Sequence, residues 1–192
     1  MATKPGERKL QILQTIAQML ENPAGEKVTT AALAAKLEVS EAALYRHFAS
    51  KAQMYEGLIE FIETSLFSVI NRIAEDEGTG LKQVEMIVAS LLRFAQKNPG
   101  LTRVLVGDAL VHEKPRLQLR INQLLGRIEA TLKQCLKVAA TQGALPPEHD
   151  FAAHADVLTS YIAGRWLRFV KGGFKDDPLA LWPGQWPLLA AQ

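Results

Sequence analysis

Residues 29–51 read TTAALAAKLEVSEAALYRHFASK. The run contains two short amphipathic segments, a tight turn between them, and the start of a third helix. Leu33, Ala34, Leu37, Val39, Leu44 and Phe48 supply a small apolar core. Thr30 and Ser40 are good N-cap types for the first two helices. Ser50 opens the third, and Gln53 three residues on completes a capping-box pattern. Helices of about seven to nine residues are marginal alone. A short second helix that leaves Glu41, Ala42, Tyr45, Arg46 and His47 off the core is therefore presented to something. The DNA major groove admits a single helix and is the first candidate.

Each side chain there carries a functional and a plain structural reading. The Tyr45 ring suits a backbone phosphate or a thymine methyl, and also edge packing. His47 and Lys51 can donate to phosphate. Lys51 stands at a helix N-terminus whose free N–H groups favour anions, although a solvated charge is the simpler alternative. Thr29 and Thr30 combine capping with phosphate hydrogen bonds. Arg46 reads guanine bidentately or pairs with a nearby acid. Ala42 lets the backbone approach the bases closely, or simply favours helix.

The string Leu44-Tyr45-Arg46-His47-Phe48 followed by Lys51 resembles the DNA-binding module of TetR-type regulators, over roughly Gly6 to Ser65. The resemblance implies an all-α chain. Residues 6–66 would form a three-helix head with the helix-turn-helix at 29–48, and 67–192 a helical dimerisation and partner-binding domain. One departure stands out. The turn position before Val39-Ser40 is usually Gly in such proteins and is Glu38 here. A left-handed backbone at that position costs a non-Gly residue about 1 kcal/mol.

Composition excludes several classes. A chain of 192 residues, 48% hydrophobic and 22% charged, buries a real core and is not a disordered tail. The net charge of +2 is too small to argue for nucleic acid. Residues 1–56 hold seven Lys/Arg against six Asp/Glu, so the argument for DNA rests on the local edge of Arg46, His47 and Lys51. The single cysteine, Cys135, allows no internal disulfide and fits a reducing cytosol. The N-terminus MATKPGERKL lacks the apolar core of a signal peptide. No apolar run approaches the ~18 residues of a membrane span, so a cytoplasmic chain without membrane contact is expected.

Helical periodicity runs through the rest. Leu10, Ile12, Leu13, Ile16, Ala17 and Leu20 mark a helix over 7–21, ended by Asn22-Pro23-Ala24-Gly25. Short helices are expected at 30–37 and 41–47, and a long one over 51–75. Others follow at 81–97, from Leu101 to Leu110, at 114–141 and at 149–171. The segment from Asp177 to Gln192 is expected as a short helix or turn. Leu117, Ile121, Leu124, Leu125, Ile128, Leu132, Cys135 and Leu136 have the spacing of a coiled-coil-like or bundle helix. Pairing the last two long helices with a two-fold mate gives a four-helix interface and a homodimer. Its reading heads would then stand about 34 Å apart on palindromic double-stranded DNA.

Enzyme chemistry has little support. Carboxylates are scattered, no Gly-rich phosphate loop is present, and Cys135 sits mid-helix among apolar residues. His149 and His154 are five apart, poor spacing for one helix face, so neither a metal nor a cofactor is expected.

A second resemblance covers the remaining two thirds. LIEFIETSL (58–66), NPGLTRVL (98–105), RLQLRINQLLGRIEATLKQ (116–134), RFVKGGFK (168–175) and WPLLAAQ (186–192) look like the nucleoid occlusion factors. That resemblance implies a DNA-bound protein that antagonises the tubulin-like division protein FtsZ over the nucleoid. The recognised element would be the FtsZ C-terminal tail, which is acidic and apolar. Arg93 and Lys97, four apart on one helix with Asn98 at its end, would rim an apolar slot with Phe61 and Ser65 of the 51–75 helix. In the alternative reading, Phe61 is core, the basic pair is solvated, and the chain is a repressor released from DNA by a small apolar ligand. A closed, water-poor cavity above about 300 Å³ in the C-terminal domain would favour the repressor, and a filled core with a surface slot between the 51–75 and 81–97 helices the division inhibitor.

Overall fold

The computed structural model describes residues 5–22 and 28–190. Every regular element among them is helical. They are α1 (Pro5–Leu20), α2 (Thr30–Lys36), α3 (Glu41–Tyr45), α4 (Lys51–Asp76), α5 (Gly80–Lys97) and α6 (Pro99–Leu105). A 3₁₀ turn follows at Asp108–Leu110, then α7 (Pro115–Thr141), α8 (Phe151–Lys171) and α9 (Trp182–Ala190). The expected stop at Pro23–Gly25 and the final Ala191 and Gln192 lie outside the described residues.

The chain divides into two compact units. One comprises Met1–Ile62 with Asn98–Ile121, and the other Glu63–Lys97 with Asn122–Gln192. In the first, Ile12, Ile16 and Leu20 of α1 are buried at i, i+4, i+8 spacing. Leu10 departs from the expected stripe and is 44% exposed, because it lies on a flanking face with Leu13 and Ala17. Helix α6 packs on α1. Gly100 makes that approach possible, since a Cβ there would stand 2.0 Å from the Ala17 carbonyl oxygen.

The expected helix from Leu101 to Leu110 is instead two pieces. Pro99 occupies the first turn of α6, where its missing N–H costs nothing. Gly107 then takes φ 77° and breaks the run before the 3₁₀ turn. Arg103 spans the break, its Nε donating to Asp108 Oδ2 at 2.8 Å.

In the second unit, α8 packs on α5. Trp166 is 1% exposed and donates its indole N–H to the Leu91 carbonyl at 3.1 Å. The indole N–H is thereby satisfied inside the core, as burial requires. The expected heptad-like stripe on α7 is buried within the chain itself, from Leu117 and Ile121 to Leu132 and Leu136. It is therefore a bundle stripe, not a seam left for a mate. Small residues, Gly126 and Ala130, remain exposed on α7. Ala153, Val157, Gly164 and Leu167 are exposed or half-buried on α8. Asp150 caps α8 by accepting from the Ala152 and Ala153 N–H groups, which hold its carboxyl below the usual range. Cys135 is buried, and desolvation pushes its thiol up to about 11.

Candidate nucleic-acid interface and apolar cleft

The helix-turn-helix is built by caps. Thr29 is extended at φ −103° and ψ 155°, and its hydroxyl accepts the Ala32 N–H at 3.1 Å. The cap of α2 is therefore Thr29. Thr30, expected as the cap, is the first helical residue, and its hydroxyl donates to Glu41 Oε2 at 2.6 Å. That bond ties α2 to the start of α3. Ser40 caps α3 as expected, accepting the Ala43 N–H at 3.3 Å. At α4, Ser50 accepts the Gln53 N–H, and the Gln53 side chain reaches back to the Ala49 N–H at 2.8 Å. The capping box thus closes one residue earlier than the usual pattern.

Glu38 between α2 and α3 has φ 55°. The turn keeps its left-handed geometry and the glutamate bears the steric cost. Relief of that cost, less the extra chain entropy of glycine, gives Glu38→Gly an expected gain of about 0.5 kcal/mol. Thermal melting would show it as a rise of about 1–2 °C, and a lower melting point would contradict the strained turn.

On α3, Leu44 is 1% exposed while Tyr45 is 45% exposed. Glu41, Ala42 and Arg46 are also exposed, and His47 is half-buried. The side chains weighed for DNA contact thus belong to one unit, which also holds exposed Thr29 and half-buried Thr30. Lys51 differs from a plain solvated charge. Its ammonium pairs with Glu113, 62 positions away, and lies 5.5 Å from the Tyr55 ring centroid. Burial and Glu113 push the Tyr55 phenol well above its ordinary range.

The first unit also carries an open cleft of about 400 Å³ between α1, α4 and α6. Phe61 is 43% exposed and lines it together with Leu58, Asn98 and Leu101. Leu10, Leu13 and Ala17 of α1 complete its apolar wall, with Gln14, Gln18 and Glu21 at its polar edge. Of the five residues weighed for partner binding, Phe61 and Asn98 share this cleft. Ser65, Arg93 and Lys97 belong to the second unit, where Ser65 is half-buried and Arg93 and Lys97 are exposed. Sequence reasoning missed the α1 wall because Leu10 and Leu13 read as core. A separate groove of about 290 Å³ in the second unit runs between α4 (Val69, Arg72, Ile73, Asp76) and α5 (Met86, Ser90).

His149 precedes α8, so its Nε2 reaches His154 Nδ1 at 2.9 Å despite the five-residue spacing. His154 Nε2 lies 2.8 Å from the Leu189 carbonyl and donates to it, leaving Nδ1 to accept from His149. Desolvation holds His154 below the ordinary histidine range. No group of three metal-ligating side chains occurs among the described residues.

Two short capped helices joined by a tight turn, with α3 exposed, form a helix-turn-helix of the kind that bacterial DNA-binding regulators carry. Residues 12–58 match the bacterial regulatory proteins of the tetR family, and 78–192 match the SlmA-like, tetracyclin-repressor-like C-terminal domain. The nucleoid occlusion factor SlmA of Marinomonas sp. (strain MWYL1) is 50% identical over 190 residues, covering 99% of this chain and 96% of its own. That of Aliivibrio fischeri (strain MJ11) is 48% identical, covering 100% and 99%. Among solved structures, the fatty acid degradation regulator FadR of Bacillus halodurans superposes with a TM-score of 0.79 at 18% identity, over 100% of this chain and 97% of its own. The TetR-family regulator PfmR of Thermus thermophilus gives 0.76 at 21% identity, over 93% and 96%. The chain belongs to the tetR family of bacterial regulatory proteins, in the group of the SlmA nucleoid occlusion factors.

Proposed function

We propose that this protein binds palindromic chromosomal sites as a homodimer. While bound, it antagonises FtsZ through the FtsZ C-terminal tail, so that no septum forms across the nucleoid. The observation that carries the reading is the open apolar cleft holding Phe61 and Asn98 in the same unit as the exposed α3. Tyr45, Arg46 and His47 would meet phosphates and bases, with Lys51 facing the DNA at the start of α4, Ala42 allowing close approach and Thr29 and Thr30 adding phosphate hydrogen bonds. The apolar residues of the tail would enter the cleft. Arg93, Lys97 and Ser65 of the other unit are a separate set of proposed contacts to the tail's acidic and polar groups.

Dimerisation is supported by the small and apolar residues exposed on α7 and α8, where a second copy could approach closely. No helix of the described residues is long and apolar enough to cross a membrane, in keeping with a nucleoid-associated, cytoplasmic protein.

Helix α4 begins in the reading head at Lys51 and carries Phe61. DNA and tail can therefore favour one conformation of α4 together, and each would tighten the other's binding by the same factor. Arg93→Glu combined with Lys97→Glu is expected to weaken binding of a synthetic FtsZ tail peptide more than about tenfold, with DNA affinity unchanged. Fluorescence anisotropy on both ligands checks this. Unchanged tail affinity would remove the basic pair from the site.

A further inference from the structure

Lys51 and Glu113 form an ion pair at the edge of the reading head, with side-chain exposures of 21% and 11%. Neighbouring cations have other carboxylate partners. Arg103 holds Asp108, and Arg116 holds Glu56 at 2.7 Å. Glu113 itself is fixed by its N–H to the Leu110 carbonyl at 2.9 Å, in the turn just before α7. A mostly buried carboxylate thus sits on the cation that opens α4. An ammonium at a helix N-terminus opposes the helix dipole, and the carboxylate offsets that. A DNA phosphate arriving at the same end must compete with Glu113 for Lys51 and is itself repelled by it.

We infer that Glu113 is an internal competitor for the DNA phosphate, holding Lys51 neutralised and setting DNA affinity below what the exposed edge would otherwise give. The inference rests on α3 and Lys51 facing DNA, as proposed above. Each phosphate neutralised by a protein cation adds about 0.9 to the slope of log K against log salt. With one such cation in each protomer of the dimer, Glu113→Gln therefore steepens that slope by about 1.8 and tightens binding by about tenfold or more at about 0.1 M salt. The neutral pair Lys51→Gln with Glu113→Gln restores the wild-type slope, because it replaces one neutral unit by another.

The probe is a duplex selected by the full-length protein from a random-sequence pool, titrated by anisotropy across a salt series, with circular dichroism checking each variant's fold. A Glu113→Gln slope equal to wild type overturns the inference. So does a double variant whose slope is shallower than wild type by about 1.8, which would mean that the Lys51 of each protomer already serves a phosphate in the native protein. The double variant decides the matter if Glu113→Gln alone fails to fold. Failure of the wild-type protein to select any duplex overturns the DNA reading itself, and the inference with it.

Discussion

Gly100→Ala is expected to destabilise the first unit by about 3 kcal/mol, the upper end of ordinary overpacking costs. The new methyl would lie 2.0 Å from the Ala17 carbonyl oxygen, 3.0 Å from its carbon and 3.2 Å from Leu20 Cβ. Two of those atoms are helix backbone, which cannot rotate aside, so α1 and α6 must separate. In chemical unfolding the change reads directly as a lower midpoint. In melting it reads as a fall of roughly 6–12 °C for a chain of this size. Ala17 and Leu101 also line the apolar cleft, so tail binding should weaken along with stability. A loss below about 0.5 kcal/mol would mean that α1 and α6 are not in the close contact described.

Trp166→Ala is expected to cost about 3–5 kcal/mol, the range for emptying an aromatic site in a packed core. The residue is 1% exposed and its indole N–H is bonded to the Leu91 carbonyl, so both volume and a buried hydrogen bond are lost. Trp166→Phe keeps most of the volume and should lose clearly less. Guanidinium unfolding of the three proteins gives the order wild type, Phe, Ala. Equal stability of Phe and Ala would indicate that the indole fills no space between α5 and α8.

Much of this architecture is legible in the sequence because helix periodicity, caps and breakers are local. Long helices at α4, α5, α7 and α8 follow from apolar residues recurring every three or four positions. The Ser40 cap and the strained position at Glu38 likewise belong to short stretches of chain. Errors arise where one-residue offsets or distant partners decide. Thr29 and Thr30 are chemically identical, and only the extended backbone of Thr29 makes it the cap. Leu10 and Leu13 are apolar at core-compatible spacing, yet they wall a cleft with Asn98 and Leu101, far along the chain. The bonds from Lys51 to Glu113 and from His149 to His154 depend on how turns bring side chains together, which periodicity does not contain. The α7 stripe is readable as a stripe. Only packing tells whether it faces the chain's own core or a mate.

DNA-bound protein should disassemble FtsZ polymer or block its assembly. Sedimentation of FtsZ polymer with the purified protein, with and without a chromosomal DNA fragment it selects, tests this most directly. The expected result is a loss of pelleted FtsZ that is stimulated by the DNA. An unchanged pellet, with the DNA demonstrably bound, would contradict the proposed function and return the chain to the ligand-responsive repressors.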